Sequence, residues 1–503
     1  MEEFKLKEKI HLVGIGGISM SALAQYFLAE GYAVSGSDVR ENEQTLLLRG
    51  LGAEVCIGHD ASNIDKTAVK LCIYTSAEKE DNVELTFCRE NSIPLVPREQ
   101  ALGDIFDDYP FGVAVCGSHG KTTTTGMLAH VLDGLQKKPA VFIGGVLKRT
   151  GSNFEKGGGE YCVSEACEYR ESFRYLHPYV SVLLNMELDH TDYFKNLKHI
   201  KDSFVAFTQN TRADGFVVLN ADGVDSFTRA RIKGKKVTFG LKPFCDVRGV
   251  KLTQTNGNFS FDVKIKGRKE GHVDLKVAGK HNVYNALAAL AACFCLGLDI
   301  KTVCMLLSGF SGVSRRYETF DCGYTNIVAD YAHHPSEIKA LLDAVKLKNF
   351  DNIYMVFQPH TYSRTKGLFD SFVYCFSGVK KLWILPVYAA REKPIENVSG
   401  EALAAGGRAQ IDDRFTGFCF HAERCQLAGL PFHMEVPLPE QLIFRRAALE
   451  AGPHTAGHNA PLCFLCAGSQ QERTHARSHT HADRRYVAFY IIHRIINRHA
   501  CRD

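Results

Sequence analysis

The sequence predicts an α/β protein of about three domains, each built on a parallel sheet covered by helices. From residue 8 to about residue 400, short β-branched or apolar runs alternate with helical stretches, which is typical of this fold class. The length of 503 residues allows about three domains at roughly 100–200 residues each. The composition, 45% hydrophobic and 23% charged, is ordinary for a globular protein with a large core.

Charge and hydropathy exclude several kinds of partner. Sixty Lys and Arg against 56 Asp and Glu give a net charge of +4, too balanced for a nucleic-acid-binding protein. The longest apolar run, Ala286–Leu298, is 13 residues long and predicts a buried helix rather than a membrane span. The N-terminus lacks the features of a secretory signal, so we expect a cytoplasmic protein with neither a nucleic-acid nor a membrane partner.

The first predicted domain contains a glycine-rich turn. Gly14–Met20 reads Gly-Ile-Gly-Gly-Ile-Ser-Met between a predicted strand and a predicted helix, and Asp38 closes the next strand. This order is typical of a Rossmann-like turn, in which a helix N-terminus binds a diphosphate and the carboxylate binds a ribose hydroxyl. Ser19 replaces the third glycine of the dinucleotide pattern, so we favour a nucleotide diphosphate, with a ligand-free turn as the alternative.

The second predicted domain contains the strongest motif of the chain. Gly117–Thr123 reads Gly-Ser-His-Gly-Lys-Thr-Thr, after an apolar strand and before a helix that starts near Thr122. Glycines let backbone amides converge on phosphate oxygens, Lys121 reaches the β- and γ-phosphates, and the Thr122 hydroxyl suits Mg²⁺. Val115 stands where the longer form of this motif has glycine. The sequence therefore predicts a phosphate-binding loop.

Polar residues follow the next strands of this domain. Glu165 and His190 each come after an apolar strand, where the ligand crevice of a nucleotide-binding sheet lies, so they could complete a metal site. A solvated loop is the alternative for each of them. Asn282 and Asn285 begin the apolar helix and either read an adenine edge or cap that helix, which is the commoner use.

The third predicted domain is followed by an unusual tail. The three domains are predicted at residues 1–108, 109–314 and 315–403, and the tail covers residues 404–503. The chain has 32 Lys up to Lys393 and none after it, whereas 9 of its 21 His lie after position 404. We favour a shifted reading frame or a poorly folded extension over a His-rich tail for metal or anions, because the alternating pattern stops there.

The 17 Cys are expected to be reduced, and zinc at the Cys463–Cys466 pair is a minor alternative.

Six motifs, in this order, resemble the Mur ligases of peptidoglycan synthesis over about residues 8–403. They are His11–Ser21, Gly117–Thr123, Gly279–Asn285, Ser314–Glu318, Asp330–Pro335 and Phe357–His360. The resemblance implies a Rossmann-like N-terminal domain for a UDP-sugar, a central domain with a P-loop ATPase-like parallel sheet, and a Rossmann-like C-terminal domain that closes over the site. It is strongest to the branch that joins L-alanine to UDP-N-acetylmuramate.

The resemblance also implies an activity and its cofactors. With ATP and Mg²⁺, such a ligase phosphorylates the muramoyl carboxylate, and the amine of L-alanine then displaces phosphate from the acyl phosphate. The implied roles are cell wall biogenesis, cell shape and cell division, for a cytoplasmic monomer or homodimer.

The resemblance assigns site residues by motif. The implied catalytic residues are Lys121, Glu165, His190 and His333. The implied ATP-binding residues are Gly117, Ser118, His119, Gly120, Lys121, Thr122, Thr123, Asn282, Asn285 and Arg316. The implied UDP-sugar ligands are Gly14, Gly16, Gly17, Ser37, Asp38 and Ser76. The implied metal ligands are Thr122, Glu165 and His190. The implied substrate contacts in the C-terminal domain are Tyr331, His333 and Arg364.

The chain departs from the family in two places. Thr361 stands where many relatives have Arg, and no family strand or helix can be matched after Leu403. We therefore expect an incomplete third sheet with exposed apolar edges. One alternative is a ligase that recycles murein peptide, which the glycine turn of this chain at Gly14–Met20 disfavours. The other is a catalytically impaired protein that binds the nucleotide sugar. A switch NTPase is less favoured, because it leaves the N-terminal turn unexplained.

Overall fold

The computed structural model describes residues 8–75, 81–321, 325–390, 392–407 and 486–491. The chain divides into two compact units, Met1–Arg316 and Tyr317–Asp503. Ser76 lies outside the described residues, as do Cys463 and Cys466 of the tail. Among the described residues, no helix is long and apolar enough to cross a membrane.

The first unit begins with a small parallel sheet. Its elements are β1 Lys9–Val13, α1 Ile18–Ala29, β2 Ala33–Asp38, α2 Glu43–Gly50, β3 Glu54–Ile57, β4 Val69–Tyr74, α3 Val83–Glu90, β5 Leu95–Pro97 and α4 Arg98–Asp107. The strand order is β3-β2-β1-β4-β5, and every pairing is parallel. This arrangement confirms the predicted Rossmann-like domain and leaves the glycine-rich turn at the carboxyl end of the central strand β1.

The first unit continues into a larger sheet. Its first half contains β6 Phe111–Cys116, α5 Lys121–Gly134, β7 Ala140–Phe142, β8 Phe154–Glu155, β9 Tyr161–Glu165, β10 Val180–Leu183 and α6 Leu197–Thr208. Its second half contains β11 Phe216–Asn220, α7 Ser226–Arg231, β12 Lys235–Gly240, β13 Val247–Thr255, β14 Asn258–Ile265, β15 Arg268–Ala278, α8 Lys280–Cys295 and α9 Ile300–Gly309. The order of the ten strands is β15-β14-β13-β12-β11-β10-β6-β9-β7-β8.

The larger sheet is parallel only in its middle. Strands β13, β14 and β15 form an antiparallel meander, and β8 is antiparallel to β7. The predicted parallel sheet is therefore extended by antiparallel strands at both edges. The meander turns at Asn256-Gly257 and Lys266-Gly267, where both residues of each pair have positive φ, the two-residue hairpin geometry. Helix α8 is almost completely buried in the core, as the apolar run predicts.

The second unit is built on a third sheet. Its elements are β16 Glu318–Asp321, β17 Thr325–Ala329, α10 Pro335–Lys346, β18 Asn352–Phe357, α11 Tyr362–Gly367, α12 Phe369–Tyr374, β19 Lys381–Ile384, α13 Gly400–Gly407 and β20 Tyr486–Ile491. The strand order is β16-β17-β20-β18-β19, with β16 antiparallel to β17 and the other pairings parallel.

One strand of the third sheet comes from the tail, where we expected no regular element. Strand β20 reads Tyr-Val-Ala-Phe-Tyr-Ile and lies between β17 and β18. A short apolar run rich in aromatic and β-branched residues is typical of a buried parallel strand. All six of its residues are in register with β18, from Asn352 opposite Tyr486 to Phe357 opposite Ile491. The expectation that the pattern simply stops after Leu403 was wrong for this segment.

Candidate active site

The phosphate loop connects the central strand β6 to helix α5. Gly117 and Gly120 have φ angles of 137° and 86°, in the region that favours glycine, and Gly120 is the N-cap of α5. A Cβ atom on Gly120 would lie 2.6 Å from Oδ1 of Asn285. The loop therefore needs glycine at position 120 for both its backbone conformation and its close contact with α8.

The side chain of Asn185, just after the end of β10, holds the phosphate loop in place. Its Oδ1 accepts from the backbone N–H of His119 at 2.8 Å, and its Nδ2 donates to the carbonyl of His119 at 2.9 Å. The hydroxyl of Ser118 donates to the carbonyl of Glu187 at 2.9 Å. The loop backbone is therefore fixed to the segment that follows β10.

Lys121 forms a buried ion pair with Glu168. The Nζ atom lies 2.9 and 3.0 Å from the two carboxylate oxygens of Glu168, and it donates to the carbonyl of Gly117 at 2.6 Å. Burial alone would lower the pKa of Lys121, but the negative charge of Glu168 outweighs burial and raises it. Burial would raise the pKa of Glu168, and the charge of Lys121 instead lowers it. Both groups are therefore ionised at neutral pH.

Glu165 and Thr122 lie against the same pair of glycines. Oε1 of Glu165 accepts from the backbone N–H of Gly144 at 2.6 Å. A Cβ atom on Gly144 would lie 3.1 Å from the carboxylate oxygens of Glu165, and one on Gly145 would lie 2.7 Å from Cγ2 of Thr122. Arg316 donates to the Thr122 hydroxyl at 3.4 Å. Side chains on this segment would fill the space beside both predicted metal ligands.

His190 is the third predicted metal ligand. Its Nε2 lies 3.6 Å from Oε1 of Glu168, and its ring centroid lies 5.0 Å from that of Tyr169. Its backbone φ is 50°, an uncommon value for a residue other than glycine, and such residues concentrate at functional sites. Glu168 thus contacts both Lys121 and His190, although no motif in the sequence predicted a role for it. The sequence did contain one signal for Glu168, because it is a second carboxylate only three residues after Glu165.

Asn282 and Asn285 lie in the first turns of α8. The N-cap of this helix is Gly279, without a side-chain hydrogen bond, so the capping interpretation of these two residues was wrong. Nδ2 of Asn282 donates to the carbonyl of Ala278 at 2.7 Å, and Nδ2 of Asn285 donates to Oδ1 of Asn282 at 2.9 Å. Both side chains are buried, and Asn285 contacts the phosphate loop at Gly120.

The N-terminal glycine turn is closed by polar side chains from the neighbouring strand and helix. The backbone N–H of Gly16 donates to Oδ2 of Asp38 at 2.9 Å, and Nδ2 of Asn42 donates to the carbonyl of Gly16 at 3.2 Å. Gly14 has a φ of 80°, and Gly17 is the N-cap of α1. Three of the predicted UDP-sugar ligands, Gly14, Gly16 and Gly17, therefore lie in one turn, and Asp38 contacts that turn from the end of β2.

Ser37 is fully buried and belongs to a polar network around Glu84. Its hydroxyl donates to Oε2 of Glu84 at 2.5 Å, and Nδ2 of Asn63 donates to Oε1 at 2.6 Å. Nε2 of His11 lies 3.6 Å from the same carboxylate, which is itself fully buried. Burial would raise the pKa of Glu84, but its contacts with His11, Ser37 and Asn63 outweigh burial and lower it to about 2.

The second unit brings its own predicted site residues together at the carboxyl ends of β17 and β18. Nδ1 of His333 contacts the carbonyl of Tyr331 at 2.8 Å, and its ring lies 5.7 Å from that of His360. Nη1 of Arg364 donates to the carbonyl of His360 at 2.9 Å. The neighbouring His334 caps α10, so only the first His of the pair belongs to this cluster.

Comparisons with known proteins agree with this architecture. Three family models match: Mur ligase family, catalytic domain, at residues 9–110; Mur ligase middle domain at 115–293; and Mur ligase, glutamate ligase domain at 315–423. A UDP-N-acetylmuramate–L-alanine ligase from Caldanaerobacter subterraneus subsp. tengcongensis is 43% identical over 409 residues, 80% of this chain and 87% of that protein. The chain belongs to the Mur ligase family.

Further Mur ligases resemble the chain in sequence and structure. The UDP-N-acetylmuramate–L-alanine ligase of Aquifex aeolicus is 40% identical over 405 residues, covering 79% of this chain and 87% of that protein. The crystal structure of a UDP-N-acetylmuramate–alanine ligase from Thermotoga maritima matches with a TM-score of 0.69 at 32% identity, covering 82% of this chain and 90% of that one. The predicted α/β fold of Rossmann-like and ATPase-like Mur ligase domains is thereby confirmed.

Proposed function

We propose that this Mur ligase joins L-alanine to UDP-N-acetylmuramate with ATP, through an acyl phosphate. The observation that carries the proposal is the convergence of the phosphate loop, the Lys121–Glu168 ion pair and Glu165 at the carboxyl edge of β6 and β9. Relatives that carry the L-alanine ligase name at about 40% identity support the choice of substrates.

A carboxylate is a poor electrophile, and this fixes the order of the chemistry. A carboxylate oxygen of the sugar attacks the γ-phosphorus of ATP, and ADP leaves. The amine of L-alanine then attacks the acyl carbon, loses a proton, and phosphate leaves as the amide forms. The protein must align these atoms and balance the phosphate charge. Lys121, which stays protonated because Glu168 raises its pKa, supplies a fixed positive charge at the loop.

The residues present fit a magnesium ion beside the phosphate loop. A hydroxyl, a carboxylate and an imidazole, from Thr122, Glu165 and His190, form the proposed donor set, and the two oxygen donors suit Mg²⁺. Gly144 and Gly145 leave the space beside Thr122 and Glu165 clear of side chains. When bound, Mg²⁺ neutralises charge on the β- and γ-phosphate oxygens.

The remaining predicted residues divide between the nucleotide and the substrates. In the proposal, Asn282 and Asn285 lie on the adenine side of the ATP site, and Arg316 supports it through the Thr122 hydroxyl. The glycine turn at Gly14–Gly17, with Asp38, binds the diphosphate and ribose of the sugar nucleotide, to which Ser76 is also assigned. Ser37 is buried and supports this turn, because its carbonyl accepts from the backbone N–H groups of Gly14 and Ile15. Tyr331, His333 and Arg364 are proposed substrate contacts of the second unit.

The decisive experiment is phosphate release from ATP and Mg²⁺ with UDP-N-acetylmuramate, in the presence and absence of L-alanine. The proposal expects release that requires both substrates and is lost in Lys121→Ala. Lys301→Ala, at an exposed lysine in α9, is the matched control and should retain activity. Folded protein that binds the sugar nucleotide without releasing phosphate would instead indicate a binding protein. Release driven by a murein peptide and not by L-alanine would indicate the recycling ligase.

A further inference from the structure

A buried amide joins the first turn of α1 to the segment between β7 and β8. The side chain of Asn153 is fully buried. Its Nδ2 donates to the carbonyl of Ile18 and to Oγ of Ser21, the latter at 3.1 Å, and its Oδ1 accepts from Nε2 of Gln25 at 2.8 Å. Asn153 and Ser21 are 132 residues apart in the chain. The side chain of Asn153 therefore takes part in linking the N-terminal sheet domain to the central domain.

Gln25 fixes the orientation of this amide. Its Nε2 also donates to the carbonyl of Ser21 at 3.2 Å, and its Oε1 accepts from the hydroxyl of Ser152 at 2.8 Å. Each of the two side-chain amides therefore donates through its nitrogen and accepts through its oxygen. A buried network in which every polar group has a hydrogen-bond partner favours a single set of side-chain orientations. An amide rotated by 180° would place its N–H₂ group against donors and its oxygen against acceptors.

The network continues from Asn153 to the proposed metal ligands. The carbonyl of Asn153 accepts from the backbone N–H of Ile143 at 3.2 Å. The next residue, Gly144, donates its N–H to Glu165 at 2.6 Å, and the residue after it contacts Thr122. Asn153 therefore helps to position the segment at 143–145, which lies against Glu165 and Thr122.

The other end of the network lies at the proposed diphosphate site. Ile18 is the first residue of α1 and directly follows Gly16 and Gly17 of the glycine turn. An anion bound at this helix N-terminus fixes the first turn of α1, from which Asn153 takes two of its three partners. One buried side chain thus contacts an element of each proposed nucleotide site.

We propose that Asn153, oriented by Gln25, is a positioning residue that couples the two nucleotide sites. A nucleoside diphosphate sugar that orders the first turn of α1 also orders the segment at 143–147. A nucleoside triphosphate with a divalent cation then binds a segment that has already lost conformational freedom, and so it binds more tightly. Linkage requires the reverse effect to have the same size. This inference rests on the proposed function, because that function assigns a nucleotide to each turn.

The test is calorimetric binding of a non-hydrolysable ATP analogue with Mg²⁺, with and without saturating UDP-N-acetylmuramate, and the reciprocal titration. We expect the sugar nucleotide to tighten binding of the analogue about fivefold or more in the wild-type chain. In Asn153→Ala and in Gln25→Met, which removes the amide and keeps the volume, we expect this ratio to fall to about one. Lys156→Ala is the matched control, since Lys156 crosses the same interface to Ala29 and Glu30 at an exposed position.

Several results would overturn the inference. A ratio of one in the wild-type chain would do so, as would a ratio that survives in Gln25→Met. The Gln25 variant decides the matter if Asn153→Ala fails to fold. A ratio lost equally in Lys156→Ala would assign the effect to the interface as a whole, and not to Asn153. A wild-type chain that binds both ligands independently and still releases phosphate would contradict only the coupling, whereas one that does not bind the sugar nucleotide would contradict the proposed function as well.

Discussion

The two glycine-rich turns of the first unit are built on the same plan and stabilised differently. Each connects a central parallel strand to a helix N-terminus, and each is held by an asparagine, Asn185 in one case and Asn42 in the other. The central turn adds Lys121 and its buried partner Glu168, whereas the N-terminal turn is closed by the carboxylate of Asp38. A turn that only binds a diphosphate needs backbone amides, whereas a turn at which phosphate is transferred also needs a fixed positive charge.

The largest expected effect comes from breaking the charge pair of the central turn. Glu168→Gln leaves Lys121 buried without its counter-charge, so the free energy of unfolding should fall by about 3–5 kcal/mol, and activity should be lost. The carboxyl pKa is lowered in the folded state, so its contribution is present above the unfolded pKa and is lost as the pH falls. Urea unfolding of the full chain at neutral pH measures the change.

The double variant Lys121→Met/Glu168→Gln separates stability from catalysis. It removes both charges, so it should recover much of the lost stability while remaining inactive. Asp214→Asn, at the exposed pair with Arg212, is the surface control and should change stability little. Equal stability losses for Glu168→Gln and Asp214→Asn would contradict the account of the buried pair.

The next largest effect tests the close packing of the phosphate loop. Gly120→Ala forces a side chain into a φ of 86° and places its Cβ 2.6 Å from Asn285. The displaced loop should reduce phosphate release about 100-fold, because positioning errors of about 1 Å have that effect. Gly234→Ala is the matched control, since Gly234 has the same φ of 86° with open space around it. Similar losses of activity in both variants would show that strain, and not the contact with Asn285, is responsible.

The N-terminal domain contains the buried carboxylate of Glu84, which pairs with no lysine among the residues that the structure describes and whose stability contribution should depend on pH. The pKa of Glu84 is about 2 in the folded state, so it contributes stability above the unfolded pKa, which is lost as the pH falls toward 2. Between about pH 5 and pH 2, the wild-type chain should therefore lose about 2 kcal/mol more stability than Glu84→Gln. Thermal unfolding across this range measures the difference. Parallel pH profiles for the two proteins would rule out this role.

Sequence reasoning found the parts of the site that are local in the chain. The phosphate loop was predicted because its glycines, lysine and threonines are consecutive and lie between a strand and a helix. The hydrogen bonds of Asn185 to His119 were not, because they join residues 66 positions apart and depend on which strands become neighbours. The same holds for Glu168, whose importance comes from its contact with Lys121.

The fold was predicted to a similar extent and for the same reason. Alternating strands and helices gave the parallel sheets, but strand β20 pairs with strands more than a hundred residues earlier, which no local pattern reveals. The antiparallel meander was a missed local signal, because Asn256-Gly257 is a typical hairpin dipeptide between two alternating runs. Features that depend on consecutive residues, such as loops and hairpin turns, could therefore be predicted from the sequence. The pairing of strands that are distant in the chain could not.

The smallest expected effect compares the two asparagines directly. Asn185→Ala frees the phosphate-loop backbone at His119, so it should lower kcat about tenfold, because transition-state alignment depends on this loop. Asn42→Ala removes the hydrogen bond to the carbonyl of Gly16 and the N-cap of α2, where Oδ1 of Asn42 accepts from the backbone N–H groups of Gln44 and Thr45. It should therefore raise KM for the sugar nucleotide a few-fold with little change in kcat. Steady-state kinetics with each substrate varied in turn distinguish the two. If Asn42→Ala lowers kcat as much as Asn185→Ala does, the N-terminal turn takes part in more than binding, and the difference drawn between the two turns is wrong.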